Sequence, residues 1–106
     1  MTKINSFGTY IKKLRKNKNW TLAKLSAMLE IDSTNLSKIE NGKRFLDDEK
    51  LMKLCEIFSL DIHKIKKEIM SEKIAKKIYD SEYNVDVLKL AESKFEYLKK
   101  LNERTT

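Results

Sequence analysis

Only Glu30 and Ile31 stand between Leu29, which closes one run of helically spaced apolar residues, and Asp32, which can open the next. Two residues are too few for a strand, but they suit a tight turn between crossing helices. Before the turn, Leu22, Leu25 and Leu29 recur at helical spacing. After it, Leu36 and Ile39 sit three apart. Thr21 is positioned to cap the first of these helices, and Asp32 the second, where its carboxylate also meets the positive end of the helix dipole. Gly42 follows Asn41 as a stop that needs a left-handed backbone. Asn-Gly also marks hairpin turns. Both flanks here keep helical spacing, so a hairpin is rejected.

The same grammar extends both ways. Ser6 caps a helix carrying Phe7, Ile11 and Leu14 on one face and ending near Asn17, with "NKNW" as a turn. Trp20 precedes the Thr21 cap and is expected to staple onto Leu25. Asp47 or Asp48 starts a fourth helix with Leu51, Leu54, Cys55 and Phe58 inward. A fifth begins near Asp61, with Ile62, Ile65 and Ile69 inward. From Ser71 the register changes. Ser71 is expected to cap a further helix carrying Ile74, Ala75 and Ile78, "YDSEYN" breaks it, and a last helix runs from about Val85 to Asn102. That helix carries one stripe of Leu88, Ala91, Phe95 and Leu98 and a second of Val87, Leu90, Tyr97 and Leu101. Two heptads are too few for a coiled coil.

Composition agrees with helices throughout. The 106 residues contain no proline and only two glycines, and 37% are charged. No apolar run spans a membrane, and "MTKINSFG" lacks the apolar centre of a signal peptide. Cys55 is the lone cysteine. It cannot form an internal disulfide, which suits a cytoplasmic location. With one cysteine, one histidine (His63) and no phosphate-cradling glycine loop, enzyme activity is not expected. Neither is a cofactor or a metal.

Charge is unevenly placed. Residues 1 to 46 hold ten Lys/Arg and three acids, hence +7. Residues 47 to 106 hold thirteen of each sign and balance. The N-terminal half is therefore the part suited to a polyanion.

At 100° per residue, Leu36 and Ile39 define the inward side of the third helix, and Thr34, Ser37, Lys38 and Asn41 fall opposite. Ser33 and Asn35 flank them near the tip. A DNA major groove admits one helix, and residues at the helix N-terminus reach base edges first. Ser33, Thr34, Asn35 and Lys38 are small or flexible hydrogen-bonding side chains of the kind that position needs. Asn35 suits an adenine and Lys38 a guanine. Ser37, Asn41, Lys43 and Arg44 are candidates for phosphate contact.

Residues 7 to 44, "FGTYIKKLRKNKNWTLAKLSAMLEIDSTNLSKIENGKR", resemble the helix-turn-helix domain of the phage repressor and Cro group. That group includes many bacterial regulators, restriction-modification controller proteins and some antitoxins. Its most specific pieces here are Leu14-Arg15, "TLAKLSAMLEI" and "LSKIENGKR". The resemblance covers roughly residues 6 to 69 and implies an all-α fold with a five-helix repressor-like domain over residues 1–70; residues 71–106, which match no motif of the group, are a C-terminal helical extension on their spacing alone. It implies a salt bridge between Arg15 and Glu40, phosphate contacts at Thr21 and Asn41, and base reading at Ser33, Thr34, Asn35 and Lys38. Leu22 stands where phage repressors often carry a DNA-contacting glutamine, so that contact should be absent and Leu22 should pack. Leu46 and Asp47 replace a frequent proline and serine, which keeps the cap but loses the rigid turn.

The function expected from these readings is sequence-specific binding of double-stranded DNA by a bacterial or phage transcriptional regulator. It would act as a homodimer on a two-fold symmetric operator, with the fifth or the C-terminal helix at the dimer surface. The alternative is an antitoxin or adaptor in which residues 71–106 grip a protein partner.

Overall fold

The computed structural model describes residues 6–105. They form α1 (Phe7–Asn17), α2 (Leu22–Leu29), α3 (Ser33–Glu40), α4 (Asp48–Phe58), α5 (Ile62–Tyr79) and α6 (Asn84–Thr105), with no strand among the described residues. The first four helices start alike. A Ser, Thr or Asp in extended conformation accepts a hydrogen bond from the backbone N–H three residues on. The bonds are Thr9 N to Ser6 Oγ (3.2 Å), Lys24 N to Thr21 Oγ1 (3.1 Å), Asn35 N to Asp32 Oδ1 (2.7 Å) and Lys50 N to Asp47 Oδ1 (2.9 Å).

The four helices also stop alike. Asn19, Glu30, Gly42 and Ser59 each take a left-handed backbone, with φ of 58°, 58°, 77° and 53°. The next residue then reaches back to a carbonyl five positions earlier: Trp20 to Arg15 (3.1 Å), Ile31 to Ser26 (3.0 Å), Lys43 to Lys38 (2.9 Å) and Leu60 to Cys55 (2.8 Å). This closure satisfies carbonyls that a helix end would otherwise leave unpaired. It turns the chain within two or three residues, so short helices can cross.

Folding buries one apolar cluster: Phe7 and Ile11 of α1, Leu25 and Leu29 of α2, Leu36 and Ile39 of α3, Leu51, Leu54 and Cys55 of α4, and Ile65 and Ile69 of α5. Leu22 and Trp20 pack at its edge. The Trp20 ring lies 5.5 Å from that of Phe58 on α4. The aromatic partner of Trp20 is thus remote in sequence, while Leu25, its expected local partner, lies in the core cluster against which Trp20 packs. Glu30, at the α2 stop, is held to α4 by Lys53 (2.8 Å) and Lys50 (3.8 Å). The Lys53 ammonium keeps the Glu30 carboxyl below the usual carboxylate range. Burial, with the charge of Asp61 adding, pushes the Cys55 thiol up, as suits an inert core residue.

Two contacts set α1 against α3. A Cβ on Gly8 would lie 2.7 Å from the Glu40 carbonyl oxygen and closer still to that of Ile39, so only glycine permits this approach. Beside it, the Arg15 guanidinium meets the Glu40 carboxylate twice, Nε to Oε2 at 2.8 Å and Nη2 to Oε1 at 3.0 Å. Its Nη1 donates to the Trp20 carbonyl at 2.8 Å. Both side chains are buried. Hydrogen bonding to Glu40 outweighs desolvation and raises the Arg15 pKa.

The structure corrects one helix boundary. Ser71 caps nothing. It lies inside α5, which runs unbroken to Tyr79, and its hydroxyl donates to the Glu68 carbonyl at 2.8 Å. A capping residue must leave helical φ/ψ. Here the hydroxyl is satisfied within the helix, and no glycine or proline lies between Ile62 and Tyr79 to interrupt it. One turn of this same helix reaches α1, where Glu72 Oε1 accepts from the first helical N–H, Phe7 N, at 2.7 Å. The chain divides into two compact units at Glu72/Lys73. Among the described residues no helix is long and apolar enough to cross a membrane.

Two stability measurements check this account. Gly8→Ala should cost about 1–3 kcal/mol through overpacking, read as a lower denaturant midpoint. Arg15→Ala should cost about 3–5 kcal/mol by leaving Glu40 buried and unpaired, and Arg15→Met with Glu40→Leu should recover most of it. A double variant as unstable as the single one would show that the pair contributes more than charge compensation.

Candidate nucleic-acid interface

The third helix has two unlike sides. Leu36 and Ile39 are fully buried, while Thr34, Lys38 and Asn41 are exposed. Ser33, Thr34, Ser37, Lys38, Asn41 and Lys43 line one shallow open concavity of about 420 Å³. Six residues singled out from sequence therefore share one surface. The helix brings them together at positions 33, 34, 37, 38 and 41 by its period. The stop at Gly42 then folds Lys43 back, since the Lys43 N–H closes onto the Lys38 carbonyl.

The remaining candidates lie differently. Asn35 is half-buried, and its Oδ1 accepts from Arg44 Nη1 at 2.9 Å. Arg44 is exposed, and its charge is directed at this amide in the free protein. Thr21 is exposed at the start of α2, where its oxygen is occupied as a cap. Ser33 is tied inward, its hydroxyl 3.1 Å from that of Ser26. Ser26 donates to the Ala23 carbonyl at 3.0 Å, which leaves Ser33 as the donor in the pair and only its lone pairs for an outside group.

Ser26, which is not among the residues the sequence singles out, is almost fully buried and fastens α2 to α3 through Ser33. The available signal was its spacing: it lies four residues after Leu22, on the inward side. Gly8 carried no local signal, because the need for it comes from α3. Phe45 stacks on Phe7 with ring centroids 6.2 Å apart and returns the chain to the core just after Arg44. Lys24 lies over the Trp20 ring at 5.4 Å.

Chemically, this surface combines hydroxyls, amides and ammonium groups at the front of a helix rigidly seated by its back. It can accept from and donate to base edges, and it offers cations at its margin. Residues 8–70 match a protein-family model described as "Helix-turn-helix domain". No curated protein and no solved structure matches this chain.

Proposed function

The chain belongs to the helix-turn-helix domain family, of the Cro/C1 type, and on that premise we propose that it is a sequence-specific DNA-binding transcriptional regulator acting as a homodimer. One observation carries the reading. A helix with Leu36 and Ile39 sealed in the core presents Thr34 and Lys38 outward, in the half of the chain that holds the whole +7 charge.

In this reading α3 enters the major groove. Thr34 and Lys38 reach base edges, with Ser33 as an acceptor beside them. Ser37, Asn41 and Lys43 meet phosphates as the helix leaves the groove, and Thr21 does so from the start of α2. Asn35 reads an adenine. Arg44, the neighbour of its Oδ1, holds the amide in one orientation before it contacts phosphate. Residues up to 70 bind DNA, and residues 71–106 join two copies. Two α3 helices about 34 Å apart then read a two-fold symmetric operator. Paired modules supply affinity and specificity that one small module lacks.

A second reading draws on the exposed apolar side chains of α6. The protein would be an antitoxin or adaptor whose residues 71–106 hold a different protein. A stable hetero-complex at high salt, with no DNA shift at low salt, would favour it.

The deciding experiment is selection of bound sequences from random duplexes. A palindromic motif is expected, and no enrichment would end the regulator reading. On the selected site, Lys38→Ala should weaken binding while sparing random DNA. Lys43→Ala should weaken both alike and lower the salt slope by about one unit. Equal losses for Lys38→Ala would make it a phosphate contact only. Asn35→Ala and Arg44→Ala should relax preference at the same base pair. Their double variant should be no worse than Asn35→Ala in that preference, whereas additive losses would separate the two residues.

A further inference from the structure

We propose that the apolar side of α6 is the surface on which two copies of this chain pair. The proposal rests on the homodimer reading above for its biological purpose, but its evidence is separate. At 100° per residue, Leu88, Leu90, Phe95, Tyr97, Leu98 and Leu101 fall within about half the circumference of the helix. They are 44–64% exposed. The opposite half carries Asp86, Lys89, Glu92, Glu96, Lys99 and Lys100. The two stripes of the sequence are thus one broad face, apolar but for Lys94, which falls between Leu98 and Leu101 around the circumference.

Three arguments select a second copy as its occupant. The first is area. These six side chains expose on the order of 700 Å², close to the roughly 800 Å² that each partner of a standard stable interface buries. The second is charge. Residues 84–105 carry four acids (Asp86, Glu92, Glu96, Glu103) and five bases (Lys89, Lys94, Lys99, Lys100, Arg104), hence a net charge of +1. A helix so close to neutral repels its own copy little, and it does not select a strongly charged partner. The third is stability. The helix spans 22 residues, and a helix that leaves its apolar face in water draws little stability from propensity alone. Pairing removes that face from solvent. Near the start of α6, Ile78, Val85 and Leu88 help to line an open apolar hollow of about 380 Å³ within the same unit, which continues the exposed apolar surface.

The full-length chain tests this directly. Light scattering after size exclusion at roughly 50 μM, well above a micromolar Kd, should give twice the 12.5 kDa chain mass. Phe95→Asp and Leu98→Asp, each on the apolar face, should halve the observed mass. Lys100→Glu, on the charged face, should leave it at the dimer value. Trp20, the single tryptophan, lies in the other unit against Phe58. Its fluorescence melt should be unchanged in all three, which separates lost pairing from lost folding. The monomeric variants should also bind the selected palindrome roughly 10²-fold more weakly. A monomeric wild type, or a dimer that survives both aspartates, would overturn the proposal. So would capture of a different protein by α6 with no self-association. A dimer that binds no DNA would leave the pairing intact and end the regulator reading alone.

Discussion

The Arg15 guanidinium holds three parts of the molecule at once. It takes the Glu40 carboxylate with two of its nitrogens and the Trp20 carbonyl with the third. Glu40 is the last residue of α3, and Trp20 ends the turn leading into α2. One rigid, always-charged fork therefore sets the end of α3 relative to α1 and fixes where α2 starts. The desolvation this requires is offset only because geometry is good on both sides. Gly8 supplies the other half of the constraint, by letting the α1 backbone come against the Ile39 and Glu40 carbonyls.

Seating α3 this way has a functional consequence. A recognition element must hold its outward side chains within a fraction of an ångström of useful positions. The short α3 could not do so alone, since a helix of eight residues is marginal in water. The Ser26–Ser33 contact, the apolar back and the Arg15–Glu40 bridge together hold it at its start, middle and end. The outward face then stays free of tertiary duties, except at Ser33 and Asn35, which already have partners in the free protein.

Much of this was legible before any coordinates. The caps at Ser6, Thr21, Asp32 and Asp47 are local chemistry, and so is the stop at Gly42. Most inward positions of α1 to α4 follow from period; Leu14, placed by period with Phe7 and Ile11, is only half-buried and stands outside the core cluster. The stops at Asn19, Glu30 and Ser59 were harder. A left-handed residue that is not glycine reveals itself only through the bonds made around it. Ser71 misled because a serine before an apolar run looks like a cap whether or not the preceding turn is already helical. Trp20 and Arg44 each have a partner that neighbouring residues do not announce. Each has a local interpretation, and each meets a residue outside it: Phe58 on α4 and Asn35 one helix back.

The amino-acid order by itself determined where helices begin, which faces turn inward and where positive charge collects, because these depend on neighbours within about four residues. It also determined that Thr34 and Lys38 share a side of α3. Only the tertiary structure decided that α1 and α3 touch through Gly8, and that Asn35 and Arg44 are paired. It alone revealed that α5 runs on past Ser71 and that the apolar side of α6 stays exposed. Those outcomes depend on which backbones approach in space, and on whether a polar group finds its partner close by or far along the chain. Helical period does not encode either.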